Sequence, residues 1–218
     1  MRKARRNLPP ILLERDPRAA GQTAQAALDL DPENILALRM RVRAHVALGE
    51  ASPLPPLAET LARLTPDRGW AAMAWGAHFL IDGKTALAAP WLSKAEIDRD
   101  PTTLVTIAGL WLAAGRGASA GRVFRRVLDI DPMNAAAEIG LAMVALTRRD
   151  FAAAEQALTH AEAVDPGRPA IYLQLAQLYA KTARSIDAGL AAQMAVRLGA
   201  DPALADMAAR GRLGEAHR

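Results

Sequence analysis

One recurring dipeptide constrains this 218-residue chain more than anything else in it. A proline preceded by Asp or Thr returns at Pro32, Pro66, Pro101, Pro132, Pro166 and Pro202, at spacings of 34, 35, 31, 34 and 36 residues. A period of this length demands stacked copies of one small unit, none of which buries its apolar face alone. Around two of these prolines the sequence almost restates itself, as "ALDLDPEN" at 27–34 and "VLDIDPMN" at 127–134. The paired aspartates Asp29, Asp31, Asp129 and Asp131 are either a site or punctuation. The calcium-loop pattern, with its internal Gly and distant Glu, is missing around them. Asp before Pro reads better as a helix stop followed by a helix start: the residue before proline disfavours helix, and Asp caps helix N-termini.

Composition says what the repeated unit is made of. Apolar residues make up 51% of the chain and aromatics only 4%. Much of the apolar content is alanine, the strongest intrinsic helix former, while strand-like runs of β-branched and aromatic residues are scarce. The chain is therefore read as all-α. It has no cysteine, which excludes disulfides, thiol catalysis and thiolate metal sites. The histidines His45, His78, His160 and His217 never pair at i, i+3 or i, i+4, and no HExxH occurs. Gly115 and Gly117 fall in a turn between helices, not after a strand, so no nucleotide loop is assigned. No catalytic residue, cofactor or metal ligand is nominated, and the expectation is that the chain is not an enzyme. No apolar run reaches the roughly 18 residues of a spanning helix. The start "MRKARRNLPPILLERDP" lacks the apolar core of a secretion signal, and a cytoplasmic location is expected.

Inside the period, four successive units carry mostly large residues at repeat positions 4, 7, 11 and 24 and mostly small ones at 8, 20 and 27, with Ala72, Ala145, Ala192 and Val127 as exceptions. Counting from Pro101 gives Leu104, Ile107, Ala108, Trp111, Ala120, Phe124 and Val127. Counting from Pro169 gives Tyr172, Leu175, Ala176, Tyr179, Ala188, Ala192 and Ala195. The units from Gly69 (Trp75, Gly76, Phe79, Ala88, Leu92, Ala95) and Ala135 (Leu141, Ala142, Ala154, Leu158, Ala161) repeat the pattern. On these residues the chain resembles the tetratricopeptide repeat family. That resemblance implies a right-handed α-solenoid, a superhelix of antiparallel helix pairs, closed by a C-terminal capping helix. The expected division is a basic irregular lead at 1–16 and a repeat array at 17–202, then a capping helix and polar tail at 203–218. Within the array, a half-unit covers 17–34 and full units cover 35–68, 69–100, 101–134, 135–168 and 169–202. Pro53, Pro55 and Pro56 confine the start of one second helix to the neighbourhood of Pro55, since proline is tolerated only in a first turn.

Family members mostly act as scaffolds that hold a peptide or helix in the concave groove lined by the first helices, at positions 2, 5, 9, 12 and 13. The resemblance places Arg39, Arg43, Trp70, Met73, Leu80, Val105, Ile139, Met143, Leu146, Leu173 and Gln177 in that groove. The expected function is a protein–protein interaction module, an adaptor, assembly factor or chaperone-like scaffold, binding an amphipathic helix or apolar segment in an exposed apolar strip. The family's carboxylate clamp is not reproduced, because Ala74 and Thr102 stand where its completing residues would be. Two alternatives remain open. In one the groove is filled by the lead "LPPILLE" or by a second copy, giving a homo-oligomer. In the other, Arg2, Lys3, Arg5 and Arg6, with the row Arg122, Arg125 and Arg126, bind an anionic surface. Nucleic acid is disfavoured, because no aromatics interleave those arginines.

Overall fold

The computed structural model describes residues 16–66 and 68–213. Most of the expected lead, and the polar tail from 214, lie outside the described residues. Among the described residues there are twelve α-helices and no strand, in keeping with the all-α expectation. They fall into two compact units that divide between Arg116 and Gly117. The first unit holds α1 (Pro17–Leu30), α2 (Ile35–Leu48), α3 (Leu54–Leu64), α4 (Trp70–Ile81), α5 (Thr85–Ala95) and α6 (Pro101–Ala113). The second holds α7 (Gly117–Ile130), α8 (Ala135–Thr147), α9 (Phe151–Val164), α10 (Pro169–Lys181), α11 (Ser185–Arg197) and α12 (Pro202–Ala209).

Helix starts follow the proline signals through two local devices. In the first, Asp caps a helix whose first residue is proline: Asp16 accepts from the Ala19 N–H at 2.9 Å, Asp100 from Thr103 at 3.1 Å and Asp201 from Ala203 at 2.8 Å. Proline suits that position because its missing N–H would have had no helical acceptor. In the second, the two restated phrases form a short turn. The Asp31 N–H closes α1 on the Ala27 carbonyl at 2.9 Å, and Asn34 then caps α2 by accepting from Ala37 at 3.0 Å. The Asp131 N–H and Asn134 repeat both bonds at 2.8 and 3.0 Å. Here the proline lies in the turn and the asparagine two residues on starts the helix. Of the crowded prolines, Pro53 is the N-cap residue of α3, and Pro55 and Pro56 sit in its first turn after Leu54.

In the first unit α1 packs on α2, α3 on α4, α4 on α5, and α6 on both α4 and α5. Leu54, Leu61, Leu92, Leu104, Ile107 and Leu110 are fully buried there. In the second, α8 packs on α7 and α9, α10 on α9 and α11, and α12 on α10 and α11. Phe124, Leu158, Ile171 and Leu178 fill its core. Small residues set the spacing between helices. The Gly140 backbone lies directly against the Phe124 ring, leaving no room for a Cβ. Beyond α12, Gly211 at φ 68° turns the chain back over α10.

Candidate functional site

The first helices of successive repeats touch: α2 packs on α4 and α4 on α6 in the first unit, and α8 on α10 in the second. Repeat position 5 falls on these seams. Met73, Val105, Ile139 and Leu173 occupy it and are buried, with 0, 7, 0 and 5% of their surface exposed. Trp70, Leu146 and Gln177 are buried too. The expectation of an exposed apolar strip through these seven residues is therefore corrected. Neighbouring first helices approach closely enough to make the position-5 residues part of the packing between repeats, and Gln177 is covered by the segment at Leu213. Arg39, Arg43, Leu80 and Met143 remain half-buried.

Arg39 is the one charged residue at position 5 of the five full units, and it bridges to the next repeat, from the start of α4 to the residue that caps α6. Its guanidinium stacks 3.6 Å over the Trp70 ring and donates to the Asp100 carboxylate at 3.0 Å. That carboxylate also accepts from the Thr103 hydroxyl at 2.6 Å. Stacking on a partly desolvated ring is worth about 0.5–2 kcal/mol, and an ion pair about one-third exposed adds at most about 1 kcal/mol. Together they hold the cation in one orientation. Asp98 supports the arrangement from beneath. It is only 1% exposed and accepts from the backbone N–H of Gly69 at 3.2 Å and of Asp100 at 2.9 Å, tying the start of α4 to the start of α6. The Trp111 indole N–H donates to Glu96 at 2.8 Å nearby in sequence.

The sequence pattern does not single out Asp98, and it marks Asp100 only as the residue before Pro101. Their stretch, "IDRDP" at 97–101, is a third version of the opening phrase. Asp29 and Asp129, the counterparts of Asp98, are exposed because α1 and α7 continue past them to Leu30 and Ile130. α5 stops at Ala95, so Asp98 leaves the helical path and turns inward.

On the second unit's first helices, Gln177 donates its amide to the Leu213 carbonyl at 2.8 Å, so the chain's own returning segment occupies that groove position. Gln174, 1% exposed on the same helix, has no partner for either amide atom. Glu138 on α8 lies 3.7 Å from His160. Burial pushes its carboxyl above the usual value, with the histidine opposing. Among the described residues, no three His, Asp or Glu side chains are grouped to hold a metal ion, and no helix is long and apolar enough to cross a membrane.

No family model matches the chain. Over 85 residues, 39% of its length, it is 31% identical to the cellulose synthase operon protein C of Pseudomonas fluorescens (strain SBW25), of which it spans only 7%. Solved structures match far more of it. A tetratricopeptide repeat protein from Parabacteroides merdae ATCC 43184 superposes at a TM-score of 0.65 and 16% identity, covering 90% of this chain and 78% of that one. The APC/C hetero-tetramer Cut9-Hcn1 gives 0.70 at 17% identity, over 80% of this chain and 34% of that one. YrrB, described as a TPR protein with an unusual peptide-binding site, gives 0.52 at 13% identity, over 86% and 98%.

Proposed function

We propose that this chain, which has the tetratricopeptide repeat fold, is a non-catalytic protein-interaction module that receives an amphipathic helix or apolar peptide segment on its first helices. The observation that carries this reading is the fixed cation of the first unit. Arg39 is oriented by Trp70 and Asp100 before any partner arrives. A donor held in place loses little freedom on binding, so more of each new contact appears as affinity. Arg43 follows one turn later on α2, and half-buried Leu80 supplies apolar surface on α4. Met143 on α8 is the adaptable apolar contact of the second unit. A segment with acidic and apolar residues suits Arg39, Arg43 and Leu80 of the first unit. The peptide-binding site of YrrB and the Cut9-Hcn1 assembly are the neighbours that support it.

The test replaces Leu80 or Met143 by glutamate in the full chain. Both side chains are partly exposed, so helicity and melting should be kept, which would not hold for fully buried Met73 or Ile139. Immobilised wild type and variants are incubated with extract of the native organism, and the recovered proteins are quantified. Recovery of a specific partner should fall by about tenfold or more, equivalent to about 1.4 kcal/mol of binding. Equal recovery by folded Leu80→Glu and Met143→Glu overturns the proposal.

A further inference from the structure

α10 carries a stretch of its own chain laid along it. α12 ends at Ala209, and Gly211 at φ 68° closes it, donating to the Ala208 carbonyl at 2.8 Å while Arg212 donates to Met207 at 2.9 Å. The chain then leaves the helical path. A Cβ on Gly211 would lie 3.5 Å from Ala180 and 3.6 Å from Lys181, in the last turn of α10. Two residues later the Leu213 carbonyl accepts from the Gln177 amide at 2.8 Å. The segment therefore runs antiparallel to α10, toward its start.

α12 covers α10 and α11 with the helix itself, whose buried residues are Ala205 and Ala208. The residues beyond it add something different: one backbone carbonyl read by a side-chain amide, and one leucine side chain sunk to 7% exposure. Main-chain hydrogen bonds together with a side-chain pocket are how a protein surface holds an extended peptide. Gln174 precedes Gln177 by three residues and is its neighbour on the helix surface. It is 1% exposed, and neither of its amide atoms has a partner. A side-chain amide offers a donor beside an acceptor, the complement of one peptide unit. Of two adjacent amides able to read a backbone, the segment bonds one and leaves the other unbonded.

We propose that residues 211–213 are a displaceable occupant of a peptide-binding site on α10, whose ligand is an extended partner segment with an aliphatic residue at the place of Leu213. The entering backbone takes over the Gln177 amide and carries on to Gln174, because it is not held in register by the Gly211 turn. The tethered segment is an autoinhibitory plug. A short link keeps it at an effective concentration on the order of millimolar, so a ligand must make more contacts than the plug does to enter. This deepens the reading of the first helices as the receiving surface and rests on it for α10 alone.

The probe is a fluorescein-labelled peptide of residues 208–218, AARGRLGEAHR, titrated with the full chain and followed by anisotropy. Gly211→Val releases the plug, since a β-branched residue does not hold φ 68°, and helicity should persist because α12 ends before the turn. This variant should bind the peptide about tenfold or more tightly than wild type, in which the tethered segment competes. Adding Gln177→Leu or Gln174→Leu should undo that gain. Removing a buried amide with no partner should stabilise the chain, so weaker binding with Gln174→Leu is not a folding effect. If Gly211→Val lowers helicity, Leu213→Asp decides: it keeps the turn, expels the buried side chain and should raise peptide affinity in the same way. Three outcomes overturn the proposal: no gain from the folded released variant, wild type binding as tightly as that variant, or unchanged affinity on adding either glutamine substitution. The probe is the chain's own sequence, so these outcomes are separate from partner recovery through Leu80 and Met143.

Discussion

In the first unit, polar groups stitch the starts of successive first helices together: Arg39 on Trp70 and Asp100, and Asp98 on Gly69 and Asp100. In the second unit, repeats meet through close apolar contact, with Gly140 against Phe124 and Ile139 and Leu173 fully or nearly fully buried. The amide of Gln174 lies at that level with nothing to bond. The corners between paired helices differ as well. Gly49, Gly83 and Gly115 turn the chain at φ 69°, 78° and 71° in the first unit, while Arg149 and Ala183 adopt φ 59° and 60° in the second. One 34-residue pattern thus tolerates two chemistries at the same junction. It prescribes distances between helices and leaves open whether hydrogen bonds or volume enforce them.

Substitutions can break this contrast, beginning with the largest effect. Phe124→Ala should cost about 3–5 kcal/mol in urea unfolding of the full chain, because it empties the contact that sets the α7–α8 distance. A loss below about 1 kcal/mol would mean that volume does not limit the second unit. Asp98→Ala comes next, at about 1–3 kcal/mol, since it leaves the Gly69 and Asp100 N–H groups without this acceptor. A neutral result there would reduce the polar stitch to an accessory. Gln174→Leu has the opposite sign and should gain about 1–2 kcal/mol by removing a buried amide with no partner. Arg149→Gly should gain about 0.5–1 kcal/mol in melting experiments, because a side chain at positive φ is strained. Gly115→Ala should lose a similar amount in the other unit.

The smallest effect concerns pH. Burial raises the Glu138 carboxyl above the usual 4.5, so the folded chain holds that proton more tightly than the unfolded chain does. Its contribution to stability is therefore full below 4.5 and declines as pH rises through the raised value. Glu138→Gln should flatten that part of a stability–pH curve, and a curve unchanged by the substitution would contradict the assignment.

Helix starts were legible because their signals are local. Asp16, Asp100 and Asp201 each act within three residues of themselves, and counting prolines locates the last two. Burial at position 5 was not legible. Whether Met73 faces a partner or a neighbouring helix depends on how closely α4 approaches α2 and α6, which no single repeat encodes. The pairing of Arg39 with Asp100 joins residues 61 positions apart, and no spacing rule points to it. Asp98 shows a finer limit. It shares a phrase with Asp29 and Asp129, and only the early end of α5 turns it inward.

The turn from Asp31 to Asn34, copied at Asp131 to Asn134, has a consequence for how such a chain is inherited. It contains its own stop and its own start, and none of its capping bonds reaches beyond four residues. A gene segment cut and rejoined at that turn carries a finished end with it. Duplication or loss of a repeat then leaves the local fold of the seam intact, and selection acts only on the faces that the new neighbours present to each other.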